Sequence, residues 1–89
     1  MSYCVYMLVS ENKKNRLLSY VGYAKNVERR ILQHNNSKGA KFTRGRKWIL
    51  CYKKTYLKKN EAMINEYKLK KNKKFRKTLK EKFLRGTFI

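Results

Sequence analysis

The chain opens with an unbroken apolar run, Tyr3-Cys4-Val5-Tyr6-Met7-Leu8-Val9, and then turns polar over residues 10–16. A run of that length bounded by turn residues reads as a strand covered on both faces, with a buried helix as the alternative that periodicity alone leaves open. A second apolar stretch, Leu17 to Tyr23, follows at hairpin distance, so residues 3–23 are predicted to form an antiparallel pair. From there the period changes from two to that of a helix. Asn26 stands where a cap is needed, Glu28 falls in the first turn, and Val27 and Ile31 are one turn apart. This helix is expected to end near His34. Residues 35–47 carry glycine and basic residues and read as a loop. Residues 48–56, WILCYKKTY, form a third predicted strand. Asn60 is expected to cap a second helix that runs to about Lys70, with Ala62, Met63 and Leu69 on its apolar side. A third helix is predicted over 72–86, where Phe75, Leu79 and Phe83 recur every four residues and Gly86 supplies a stop. The expected fold is α/β: a small sandwich with a three-stranded antiparallel sheet flanked by about three helices. At 89 residues the whole chain, 1–89, is read as one domain.

Charge narrows the function. Twenty-five Lys and Arg stand against five acids, a net charge of +20. Such an excess disfavours the compact state and makes sense beside a polyanion, with nucleic acid the foremost candidate. An anionic membrane surface would call for a helix with a broad apolar face beside its lysines, and no segment shows one clearly. No run approaches the ~18 apolar residues of a membrane span, and the start does not read as a signal peptide, so an intracellular protein is expected. Cys4 and Cys51 lie in strand-like runs and are expected to be reduced core residues. With a single histidine they cannot complete a four-ligand zinc site.

Within this frame the stretch YVGYAKNVERRILQHN, residues 20–35, stands out. Arg30 and His34 are four apart and share one helical edge beside the Val27/Ile31 stripe, whereas Arg29 falls with Gln33 on the outer side. Each has a plain structural reading. An arginine can lay its stem on the core with its head in water, and a lone histidine can be satisfied inside a core. Glu66 lies four after Ala62 and three before Leu69, on or beside a buried face, where a carboxylate needs either a lysine or a cation. The chain has no Asp, and the other glutamates sit in a loop, near helix starts or on a lysine-rich face, so Glu66 is the best-placed anchor for a divalent metal. Tyr6 and Tyr20 lie on the two strands of the hairpin and also fit as half-buried aromatics. Gly22, inside a strand, points to a bulge or a close approach by another backbone.

Taken together, these residues resemble the GIY-YIG nuclease domain family. The first motif is present as Cys4-Val5-Tyr6, with Cys in place of Gly, and the second as Tyr20-Val21-Gly22. An Arg and a His follow on the next helix, and a Glu on the one after. YCVYMLVS, the 20–35 stretch and KGAKFTRGRKW look most like the catalytic subunit of the eukaryotic structure-specific endonuclease that cuts branched DNA, and like small single-domain bacterial members. That subunit carries a cysteine-rich zinc domain after its nuclease domain, and none is expected here. The resemblance implies a phosphodiester hydrolase acting on duplex or branched DNA, in repair or recombination. It implies Tyr6 and Tyr20 at the scissile phosphate, Arg30 on a non-bridging oxygen and His34 hydrogen-bonding within the site. Glu66 would hold one Mg²⁺ or Mn²⁺, and Gly22 would allow a close backbone approach. Cations are expected to lower the pKa of a tyrosine base from its usual value near 10. Lys25, Arg29, Lys38, Lys41, Arg44, Arg46 and Lys47 are the candidate DNA contacts. The alternative is a non-catalytic nucleic-acid-binding module on the same fold.

Overall fold

The structure is a computed structural model and describes residues 2–11, 16–36, 41–43 and 45–86. Strand β1 spans Tyr3–Glu11 and β2 spans Leu17–Ala24. Helix α1 follows at Val27–Asn35, and a single 3-10 turn at Lys41–Thr43 leads to β3, Ile49–Tyr56. Helices α2, Lys59–Lys71, and α3, Lys73–Leu84, complete the order. The sheet order is β2-β1-β3, antiparallel throughout. Central placement of β1 explains its composition. A middle strand has both faces covered, and Val5 to Ser10 are all buried.

The two faces carry two cores, separated by strand alternation. On one face Tyr6, Leu8, Val27 and Trp48 pack together, joined by Tyr20, Ile31 and Leu50, and α1 covers them. On the other face Val5, Met7, Val9, Val21 and Cys51 meet Ala62 and Leu69 of α2 and Leu79 of α3. A bulge between Met7 and Leu8 in the β1–β3 pairing sets both Cys51 and Tyr52 against this second core. Both cysteines are free thiols. Cys51 is a buried core residue, as expected, whereas Cys4 is only half-buried, packed against the Tyr6 core. Burial pushes the Cys51 thiol up despite nearby Lys80.

Helix α1 begins where its sequence places it. Asn26 Oδ1 accepts from the Arg29 amide at 3.0 Å. Helix α2 differs from expectation. It starts at Lys59, with Lys58 at the cap position and no side-chain cap bond, and Asn60 sits inside the first turn, accepting from the Glu61 amide. Met63 also departs from its predicted place and is exposed. The buried stripe runs through Ala62 and Leu69, and Met63 is turned ~100° from it. Asn72 caps α3 by accepting from the Phe75 amide, and Gly86 ends it at φ +77°. Leu79 is the one fully buried side chain of α3, with Phe83 half-buried beside it, so Leu79→Ala would cost about 2–5 kcal/mol.

Candidate active site

The sheet face under α1 gathers the residues that the sequence singles out. Tyr6 projects from the middle strand toward β2, where its register partner is Gly22. A Cβ at Gly22 would stand 2.5 Å from the Tyr6 hydroxyl oxygen and 2.8 Å from Cζ. The close approach expected at this glycine is therefore made by a side chain, the Tyr6 phenol, and not by another backbone. Without that gap the phenol could not reach over Gly22 of β2.

The phenol meets α1 from below. Tyr6 Oη and His34 Nε2 are 3.0 Å apart, and His34 Nδ1 lies 2.8 Å from Thr43 Oγ1. Both partners of the histidine are buried, and His34 itself has no exposed surface. Tyr20 packs its ring 4.9 Å from the imidazole and 6.4 Å from the indole of Trp48. Asn35, next to His34, ties down Trp48. Its Nδ2 donates to the Trp48 carbonyl at 3.1 Å and its Oδ1 accepts from the Trp48 amide at 2.6 Å. Trp48 Nε1 in turn donates to the Thr43 carbonyl at 2.9 Å. The 3-10 turn is thereby held against the histidine.

Charge at the site is arranged around the same hydroxyl. Arg30 is half-buried and Arg29 exposed, as the helical phase predicts. Arg30 Nη1 donates to Gln33 Oε1 at 3.0 Å, so Gln33, expected to face outward, is instead half-buried and steadies the guanidinium. Burial pushes the Tyr6 hydroxyl up to about 12. The Arg30 guanidinium opposes the rise, while the second phenol, Tyr20, and the Glu66 carboxylate add to it. Cations were expected to lower a tyrosine here. Desolvation outweighs them, because the phenol is 1% exposed and a phenolate there would lose its water. His34 is held below the usual histidine range, first by burial and then by Arg30, so it is neutral at pH 7.

Glu66 approaches from the other layer. It is on the same side of α2 as Ala62 and Leu69, half-buried, and pairs with Lys70 at 3.4 Å. Of the two partners expected for this carboxylate, the lysine is present, and the carboxylate also adds to the upward shift of Tyr6. Among the described residues no group of three or more His, Cys, Asp or Glu side chains could hold a metal ion. A single carboxylate still fits the habit of Mg²⁺, which keeps several waters and binds one or two carboxylates plus substrate phosphates.

Of the candidate DNA contacts, Lys25, Arg29, Lys41 and Lys47 are exposed and Arg46 is half-buried. Lys38 and Arg44 lie outside the described residues. Sequence reasoning passed over Thr43, Gln33, Asn35 and Lys53. Lys53 is the register partner of Tyr6 on β3, on the same face, and reaches Glu28 of α1 at 3.8 Å. Strand alternation could have found it once the β1–β3 register was known. Nothing local marks Thr43.

A family model for the GIY-YIG catalytic domain matches residues 2–80. The chain belongs to the GIY-YIG family of nuclease domains. A UPF0213 protein of Staphylococcus epidermidis is 50% identical over 52 residues, covering 57% of this chain and 63% of that relative. The match therefore spans less than two thirds of the relative's length. A UPF0213 protein of Staphylococcus haemolyticus is 44% identical over 66 residues, covering 73% of this chain and 78% of its own. The solution NMR structure of a UPF0213 protein from Bacillus halodurans is 39% identical, covers 88% of this chain and 83% of that one, and superposes with a TM-score of 0.45. No described helix is long and apolar enough to cross a membrane.

Proposed function

We propose that the protein is a metal-dependent endonuclease that hydrolyses phosphodiester bonds in DNA inside the cell, on structured or branched substrates. The observation that carries this reading is the buried contact between Tyr6 Oη and neutral His34 Nε2 at 3.0 Å, with Arg30 beside it. A phenol with a pKa near 12 is a poor source of phenolate at neutral pH. It is a serviceable relay. In this reading water gives its proton to Tyr6 Oη as Tyr6 passes its own proton to His34 Nε2, and the hydroxide oxygen bonds to phosphorus as the P–O bond to the leaving ester oxygen breaks. That oxygen takes a proton from water, and His34 returns its proton through Tyr6 to solvent. The charge gained by the phosphate compensates the transient imidazolium, and Arg30 neutralises a non-bridging oxygen. In the tautomer that leaves Nε2 free to accept, His34 Nδ1–H donates to Thr43 Oγ1, which holds the ring in place. Tyr20 orients the imidazole from its flank. Glu66 would hold one Mg²⁺ or Mn²⁺, which when bound supplies Lewis-acid stabilisation of the leaving oxygen.

The test is incubation with flaps, forks, junctions and linear duplex, with Mg²⁺ or Mn²⁺ and then with chelator. Metal-dependent cutting, strongest on branched forms and lost in Tyr6→Phe, is the expected result. A folded protein that binds these DNAs and cuts none of them would instead be a binding module.

A further inference from the structure

The face of the sheet opposite Tyr6 carries a second set of features that cleavage leaves unused. Between β3 and the α2–α3 corner lies a groove of about 280 Å³. Tyr52, Tyr56 and Phe75 line it together with Lys54, Lys68 and Asn72. Tyr52 and Phe75 meet edge to face at 5.8 Å, and Lys54 Nζ stands 5.7 Å over the Tyr56 ring. That ring therefore already takes a cation on its face, carried by a long side chain that is free to swing away. Beyond the groove, Lys73, Arg76, Lys77 and Lys80 surround a shallow depression on α3. Arg76 is pinned by donating from Nη2 to the Lys70 carbonyl at 3.0 Å, while its buried Nε has no acceptor among the described residues.

We propose that this α2–α3 face is a second nucleic-acid site, which stacks bases of an unpaired strand in the aromatic groove and holds its phosphates on the basic ridge. The combination is specific in chemistry. Aromatic rings interleaved with lysines grip single strands, since every base has a π-face and every linkage a charge. Tyr52 and Tyr56 are half-buried between strand and helices, and Phe75 is exposed beside Tyr52. A base within a duplex has both faces covered by its neighbours and cannot offer one to these rings. An unpaired base can displace Lys54 from Tyr56, and the freed ammonium then meets the adjoining phosphate. The site goes beyond the nuclease reading, and it gives that reading a geometry. Lys53 and Lys54 are exposed neighbours on edge strand β3, and alternation aims them at opposite faces. A strand leaving the Tyr6 face can pass that edge between two cations. The molecule is only 21 Å across its shortest axis, which a few nucleotides span.

The test runs on the full chain in chelator, so that binding is read without cutting. An inactive protein could pass it and an active nuclease could fail it. Oligothymidine carrying 5-iodouracil is photocrosslinked and the adducts are mapped by mass spectrometry. Affinities for oligothymidine, for duplex with a single-stranded overhang and for blunt duplex are measured by anisotropy. Crosslinks at Tyr52, Tyr56 or Phe75 are expected. Tyr56→Leu should weaken oligothymidine and overhang binding about tenfold and leave blunt duplex unchanged. Should Tyr56→Leu lose its melting transition, Lys54→Gln combined with Lys68→Gln, both at exposed positions, serves in its place, with single-strand affinity falling more than duplex affinity. Crosslinks confined to Tyr20 and Trp48, equal losses on single strand and duplex, or no loss at all would each overturn the proposal.

Discussion

The Tyr6 phenol occupies the space that a side chain at Gly22 would fill, with its hydroxyl 2.5 Å from the position of the missing Cβ. Two residues on neighbouring strands thus share one volume, and the reactive hydroxyl is placed by what its partner lacks. Gly22→Ala should displace the phenol and lengthen its bond to His34. Overpacking of this kind costs about 1–3 kcal/mol. Cleavage by the folded fraction should fall well beyond the loss of melting temperature. Unchanged turnover would show that the phenol need not lie over β2.

His34 should make stability depend on acid. Its folded pKa is below the unfolded value near 6.5, so the unfolded chain binds more protons as the pH falls below that value. Stability from this group is present above about pH 6.5 and is lost as pH falls through the folded pKa. At the other end, Tyr6 keeps its proton to about 12 when folded but ionises near 10 when unfolded, so its contribution fades between those values. Melting curves between pH 4 and 8 should show His34→Gln with a flatter acid limb than wild type. Identical limbs would contradict a buried, neutral His34.

Arg29→Ala and Arg30→Ala should differ although the residues are adjacent. Arg30 faces Tyr6 and His34 and is steadied by Gln33, so its loss should cost about 100-fold or more in turnover. It should also let the His34 pKa rise, moving the acid limb of the rate profile upward. Arg29 is exposed and should mainly weaken binding. Equal turnover losses at saturating DNA would refute the distinction.

Glu66→Gln should separate binding from cutting. The change is nearly isosteric and takes the net charge from +20 to +21, so DNA affinity should hold or rise slightly. The lost pair with Lys70 is a helix-surface contact worth at most about 0.5 kcal/mol. Metal-dependent cleavage should collapse. Normal cleavage by a folded Glu66→Gln protein would remove Glu66 from the metal site.

Binding should be steeply salt-dependent. If about 6–8 phosphates are neutralised, log K should fall against log[salt] with a slope near −5 to −7. A slope shallower than about −2 would be incompatible with phosphate-dominated contact.

By itself the sequence determined the three strands, the three helices and the inward edge of α1. These depend on local geometry: two residues per strand repeat, 3.6 per helical turn, and caps such as Asn26 that act within one turn. Arg30, His34 and Glu66 could be picked out because their spacing relative to Val27, Ile31, Ala62 and Leu69 is itself local. What the tertiary structure decided is which distant groups meet. Thr43 meets His34 from nine positions away, beside Trp48, which bonds to both Asn35 and the Thr43 carbonyl, and Lys53 joins the face of Tyr6 only through the β1–β3 register. The purpose of Gly22 and the sign of the Tyr6 shift belong to the same class. A pKa is the balance between lost water and gained charge, and the water lost by Tyr6 is set by everything packed around it, which neighbours in sequence do not specify.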